Sequence, residues 1–217
     1  MTNISKHYLG ERGREYLATH DFGKAVPGRA WQCERYFAPH VQEHDVVLDF
    51  GANDGFMLSH LDCARRIGVE ANPHSREEAP SEIEMHEDFS KVPDGYIDVV
   101  ISNHCLEHVP APLEALREIR RVLKKGGKLV LVTPMEDMHR AWVSGDVDNH
   151  LFTWAPVNIG NLLTEAGFEV QNVSLCRTSW SPKFFPLLRF EPVFRAACSL
   201  LSRIKSRQEV YAVAKSE

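Results

Sequence analysis

The chain has 217 residues, 43% of them hydrophobic, enough to bury one sizeable core and too few for more than one domain with peripheral additions. A formal net charge of −5 supplies no overall positive field, which argues against a dedicated nucleic-acid binder. The five cysteines, Cys33, Cys63, Cys105, Cys176 and Cys198, are odd in number and form no CxxC pair, so neither a disulfide framework nor a metal site is expected, and a cytoplasmic setting is.

The amino-terminal residues Met1 to His7 lack the apolar core of a signal peptide, and nowhere do some eighteen apolar residues run uninterrupted, so a soluble protein is expected. Residues 1–45 are polar and aromatic, with Trp31, Tyr36 and Phe37 on a predicted helix, and read as an N-terminal helical cap over a site built by residues 46–217. From Val46 onward, short apolar runs alternate with helix-like segments, the pattern of an α/β sheet. Strands are predicted at Val46–Phe50, Arg66–Glu70, Ile83–His86 and Ile97–Ser102.

Leu113, Leu116, Ile119 and Leu123 recur at helical spacing between charged residues, describing an amphipathic helix that Gly126-Gly127 ends. Lys128–Thr133 is the fifth predicted strand. Pro156–Ala166 reads as a helix with proline in its first turn and Gly167 just past its end. Phe168–Leu175 and Glu209–Ala214 bring the count to seven strands. The expected architecture is a Rossmann-like, doubly wound seven-stranded sheet with helices on both faces and its last strand antiparallel. Between the last two strands, residues 180–207 carry Lys183, Arg189, Arg195, Arg203, Lys205 and Arg207 against the single acid Glu191, interleaved with aromatic and aliphatic residues. This basic amphipathic insertion is either a cover on the fold or a surface for peripheral contact with an anionic membrane.

Chemistry concentrates at Asp49-Phe50-Gly51-Ala52-Asn53-Asp54-Gly55, directly after the first strand, where glycines let backbone approach a ligand closely. Glu70 ends the second strand, placed to accept hydrogen bonds from both hydroxyls of a ribose. The spacing is not G-x-G-x-x-G, and the acid at the strand's end would repel a diphosphate, so a ligand bearing positive charge fits better. Three histidines fall after strand ends that face such a ligand: His104, His108 and His150. His150, with Asp146 and Asp148 nearby, is the preferred general base and His108 the second; His108 could equally cap a helix.

These residues, together with Gly68-Val69-Glu70, Ser102 to Val109 and Arg120 to Leu129, resemble the class I S-adenosylmethionine-dependent methyltransferases, in particular a small methyltransferase-domain group whose bacterial members accompany polysaccharide biosynthesis. The resemblance spans roughly residues 46–175. It implies that Asp49, Gly51, Asn53 and Gly55 cradle the methionine part of S-adenosylmethionine, Glu70 holds its ribose, Asp88 and Phe89 flank its adenine, and Asn103 and His104 line the methionine side. Asn53 stands where that family has glycine. The implied activity is O-methylation of a sugar hydroxyl on a nucleotide-activated or lipid-linked saccharide, with S-adenosylhomocysteine as product. Methylation of another small metabolite at nitrogen or oxygen, or a non-catalytic cofactor-binding subunit, are the alternatives. A nucleic-acid acceptor is not expected.

Overall fold

A computed structural model describes residues 5–19, 22–136, 139, 141–177 and 180–217. Met1 to Ile4, on which part of the signal-peptide reading rests, lie outside the described residues. The seven strands are β1 (Val46–Phe50), β2 (Arg65–Val69), β3 (Glu84–His86), β4 (Ile97–Asn103), β5 (Leu123–Met135), β6 (Phe168–Cys176) and β7 (Gln208–Ser216). They form one sheet in the order β3-β2-β1-β4-β5-β7-β6. β3, β2, β1, β4 and β5 pair in parallel, and β7 runs antiparallel to both β5 and β6.

Alternation along the strands builds two cores. Leu48, Val100, Leu129, Leu131, Ala212 and Ala214 point to one face, where α5 (Pro112–Val122) and α6 (Pro156–Glu165) bury Leu116, Ile119, Ile159 and Leu163 on them. Their immediate neighbours Val47, Val99, Ile101, Val130, Val132 and Val213 point to the opposite face. That face is covered by α3 (Phe56–Ser59), through Met57 and Leu58, and by a π-turn at Cys33–Phe37 that buries Tyr36 and Phe37. Side chains of β-branched and aliphatic residues thus fill both sides of parallel strands, as a sheet covered on two faces requires.

The helix predicted to run to Gly126-Gly127 ends earlier, at Val122, because Leu123 is drawn into pairing with Ile97 and begins β5. Its exposed face carries Arg117 to Glu114 and Arg121 to Glu118 pairs at one-turn spacing. Ahead of β1, α1 (Gly10–Thr19) and α2 (Phe22–Gln32) approach the carboxyl ends of the strands; Asn72 Nδ2 donates to Gly13 O at 3.0 Å and ties α1 to α4 (Pro73–Glu78). The insertion between β6 and β7 consists of 3₁₀ turns over Pro182–Phe190 and α7 (Glu191–Ile204). It packs on α2 rather than on the sheet: Trp31 meets the ring of Phe194 edge-on at 5.1 Å, beside Cys198. No helix among the described residues is long and apolar enough to cross a membrane.

The strand order reverses at β1, where β2 and β4 diverge from it, and that crevice at the carboxyl ends is where open α/β sheets bind ligands. The loop after β1 is held there from below. The Arg66 guanidinium donates to the carbonyls of Leu58, Leu61 and Cys63 at 3.0, 2.6 and 3.4 Å, satisfying groups that the single turn of α3 leaves over. Arg66→Met keeps the length of the stem and removes these donors, leaving Leu58 O with Leu61 N alone; the expected loss is about 1–3 kcal/mol of unfolding free energy by urea titration.

Candidate active site

Above the β1/β2/β4 crevice lies a cavity of about 230 Å³. From the strand ends it is lined by Asp49, Gly51, Asn53, Glu70, Asn103 and His104, and from the amino-terminal segment by Ser5, Tyr8, Tyr16 and Arg29. Gly51 N and Ala52 N both donate to Val69 O, at 2.8 and 3.2 Å, which folds the β1 loop across the end of β2. At Gly51 the backbone is left-handed, φ +83°, and a Cβ would stand 2.5 Å from Cys105 Cβ and Sγ, so glycine is required twice over. Asn53 is also left-handed, φ +49°, a conformation asparagine adopts more readily than other side-chain-bearing residues. The glycine usual at that place is therefore replaceable by this residue on backbone grounds.

Glu70 accepts from two backbone amides, Asn53 N at 2.9 Å and Asn72 N at 2.8 Å, and these bind the loops after β1 and β2 to one carboxylate. Burial raises its pKa against these hydrogen bonds. Asp49 is 2% exposed and its Oδ1 has no hydrogen-bond partner. Burial first, and then repulsion from Glu70, push it up to about 8. A buried, unpartnered carboxyl beside a second one suits a ligand that brings positive charge and disfavours phosphate. The residues present therefore fit a cationic ligand such as S-adenosylmethionine.

Not every expected contact lies at the cavity. Gly55, φ +74°, turns the chain into α3, and a Cβ there would meet Ile83 Cδ1 at 2.6 Å; it shapes the loop and does not line the cavity. Asp88 caps the 3₁₀ turn Phe89–Lys91 by accepting from Ser90 N, and Phe89 is buried against Phe50, ring centroids 5.3 Å apart. The wall at the end of β3 is Glu87 instead, because Phe89 is drawn down into the core.

On the far side of the cavity the turn Leu106–His108 after β4 brings together a cluster that spans the chain. His104, left-handed at φ +52°, places Nε2 at 2.9 Å from Glu209 Oε1 of β7. Burial works against its charge, yet Glu209, Glu107 and Glu136 outweigh it and push His104 up to about 9. His108, four residues on, is pushed down to about 3 by burial and by His150, so it stays neutral. Its Nδ1 lies 2.6 Å from the hydroxyl of Tyr8, which donates its own hydrogen to Asp148 O at 2.6 Å. With the Tyr8 proton given to Asp148 O, His108 is the donor at Nδ1, and in the neutral ring Nε2 carries the lone pair.

His150 does not line the cavity, but its ring lies edge-on to that of His108 at 4.8 Å, and its Nδ1 is 2.5 Å from Glu136 Oε1. Leu151 N and Phe152 N both donate to Glu107 O and hold this segment down. Cys105 is an undissociated thiol, its pKa raised far by burial, and serves as the small filler under Gly51. Sequence reasoning missed Tyr8, Tyr16, Arg29, Glu136 and Glu209, which carry no local pattern; Glu107 stood inside a quoted motif without a role.

A family model described as Methyltransferase domain matches residues 13–173. An uncharacterized methyltransferase of Mycobacterium sp. strain JLS is 31% identical over 128 residues, 54% of this chain and 49% of that one. The chain spans about half the length, or less, of the curated relatives it matches. In fold it is similar to a SAM-dependent methyltransferase from Archaeoglobus fulgidus, TM-score 0.63 and 17% identity over 93% of this chain and 99% of that one. It is equally similar, at 0.63 and 15% over 94% of this chain and 59% of that one, to Haemonchus contortus phosphoethanolamine N-methyltransferase 2 in complex with S-adenosyl-L-methionine.

Asp49 sets a pH signature. Its folded pKa of about 8 lies above the unfolded value of about 3.9, so its stabilising contribution is full below pH 4 and is lost as pH rises toward 8. A cationic ligand favours the ionised form and draws that pKa down. Binding of S-adenosylmethionine at pH 7 is therefore expected to expel a proton, and affinity to rise with pH up to about 8. Calorimetry in buffers of different ionisation enthalpy checks this; Asp49→Asn is expected to remove the buffer dependence.

Proposed function

Because the chain belongs to the methyltransferase-domain family, we propose that it binds S-adenosylmethionine and methylates a sugar hydroxyl of a nucleotide-activated or lipid-linked saccharide. The cofactor supplies a methyl carbon on a sulfonium, a good leaving group, so the protein's tasks are alignment and removal of the acceptor's proton. Asp49, Gly51 and Asn53 receive the methionine end, Glu70 the ribose, and Asn103 and His104 the wall between cofactor and acceptor. The observation that carries an oxygen acceptor is the His150 imidazole, oriented through Nδ1 by Glu136 and set against His108 at the cavity wall. With Nδ1–H given to a carboxylate, Nε2 is left to take a hydroxyl proton, the arrangement of an oriented base. An amine acceptor would need no such group.

Two features support a saccharide. The segment that carries His150 also presents Trp142, 87% exposed, and the partly exposed Phe152 stacked on Trp154, flat apolar faces beside polar groups, as a sugar ring requires. On α7, Phe194, Cys198 and Ser202 face inward, while Val193, Leu200 and Ile204, with Phe190 just ahead of the helix, are exposed among Arg189, Arg195, Arg203, Lys205 and Arg207. Apolar and basic residues together suit the surface of an anionic membrane, where a lipid-linked acceptor resides.

The first test is product release from S-adenosylmethionine against pooled nucleotide sugars and lipid-linked saccharides, with Glu70→Ala as the control that loses cofactor binding. His150→Ala is expected to keep cofactor affinity and lose about 10²–10³ in kcat. Unchanged turnover in that variant, with an amine as the productive acceptor, overturns the oxygen reading. For the membrane arm, the protein is expected to float with anionic and not with neutral vesicles, and Leu200→Glu with Ile204→Glu to abolish flotation.

A further inference from the structure

Glu107 is the least satisfied side chain of the site. It is fully buried, and among the described residues neither carboxylate oxygen has a hydrogen-bond partner. Buried carboxylates are ordinarily paired, or bound to a cation. The nearest candidates for pairing stop short: His108 Nε2 is 3.6 Å from Oε1 and His104 Nδ1 is 3.9 Å. Those separations exceed a hydrogen bond and approach the spacing of two atoms that share one metal ion at about 2.1 Å each.

His108 and His150 are prepared in the same sense. Each commits Nδ1 to an oxygen, His108 to the Tyr8 hydroxyl at 2.6 Å and His150 to Glu136 Oε1 at 2.5 Å, which fixes the ring and leaves Nε2 as a lone-pair donor. Histidine ligands of metals show this outer hydrogen bond almost without exception. One ligand atom from each of Glu107, His108 and His150 lies within 4.8 Å of the others.

We propose that Glu107, His108 and His150 bind a divalent transition cation of the zinc class, held by two imidazole nitrogens and a carboxylate and open on the cavity side. This departs from the expectation, drawn from cysteine spacing, that the chain has no metal site. No pattern in the sequence joins the three: two are adjacent after β4, and the third comes from an irregular segment after β5. His104 is not a ligand of this set: its Nε2 is turned to Glu209 Oε1 at 2.9 Å. The mixed nitrogen and oxygen set suits zinc, cobalt, manganese or iron(II) better than calcium or magnesium. Three protein ligands leave a position for an acceptor oxygen, and coordination lowers the proton affinity of a hydroxyl. That role rests on the oxygen-acceptor reading above; the binding does not. With the cation bound, His150 holds the ion and coordination takes over the activation of the hydroxyl.

The test uses the full chain stripped with a chelator and titrated with zinc chloride by calorimetry and with cobalt chloride by visible absorption. One-to-one uptake is expected, with d–d bands of a low-coordinate cobalt site. Glu107→Gln and His150→Ala are each expected to weaken uptake at least tenfold with circular dichroism and melting unchanged. Should either fail to fold, Tyr8→Phe, which removes only the outer partner of His108, is expected to weaken uptake about tenfold. No stoichiometric uptake by the folded wild type, or uptake that all three variants retain, overturns the site. Undiminished oxygen methylation by stripped protein overturns the metal's role and leaves the oxygen reading standing. One-to-one uptake with no oxygen acceptor methylated overturns that reading and leaves the site standing.

Discussion

Asp49 and Glu70 are carboxyl groups kept out of water at the carboxyl ends of adjacent parallel strands, and much of the cavity answers the electrostatic cost of holding them there. Register makes the pairing unavoidable: Asp49 lies opposite Gly68 and Phe50 opposite Val69, so the end of β2 delivers Glu70 into the loop that follows Asp49. Glu70 is stabilised by two backbone amides from the two loops. Asp49 has no such amide, and protonation keeps it neutral up to about pH 8. Arg29, from α2, eases Asp49 but spends its guanidinium on Asp54 at 3.1 and 2.6 Å. The cavity is thus short of positive charge by construction, and a cationic ligand completes it.

The acceptor side obeys a different logic, in which neighbouring titratable groups are driven apart. His104 and His108 lie one 3₁₀ turn from each other, yet one is pushed up to about 9 and the other down to about 3. The difference is geometric. His104 is turned by its left-handed backbone toward Glu209, while His108 faces a hydroxyl and a second imidazole. Groups whose environments separate their pKa values in this way take distinct roles, one a fixed charge and the other a neutral lone pair. Glu107, between them in the chain, contacts both and is satisfied by neither.

Much of the fold was legible because it is local. Apolar runs mark all seven strands, six of them closely, with β5 beginning five residues before its predicted start, and Pro156 with Gly167 brackets α6. The place of Asp49, Glu70 and His104 on the cavity wall was legible for the same reason: each lies at or just past a strand end, and in this topology the crevice opens there. Phe89 misled because a residue following a strand can turn into the core as readily as toward the cavity, and only the packing on Phe50 decides. Tyr8, Glu136 and Glu209 were illegible in principle. Each reaches the site through long-range packing, Glu209 through antiparallel pairing with β5 and Tyr8 through an amino-terminal segment 100 residues from His108.

Tyr8 shows what that distance achieves. It lines the cavity, and its hydroxyl fixes the tautomer of His108 and donates to Asp148 O in the segment that supplies His150. Three parts of the chain that share no secondary structure therefore meet on one oxygen. Burial raises the Tyr8 pKa, so that oxygen keeps its proton and its direction of donation throughout the neutral range. Displacing the amino-terminal segment would free His108 to exchange tautomers and would loosen the segment after β5 in the same motion. The orientation of His108, and the seating of the segment that supplies His150, thus depend on the same amino-terminal residue that lines the cavity.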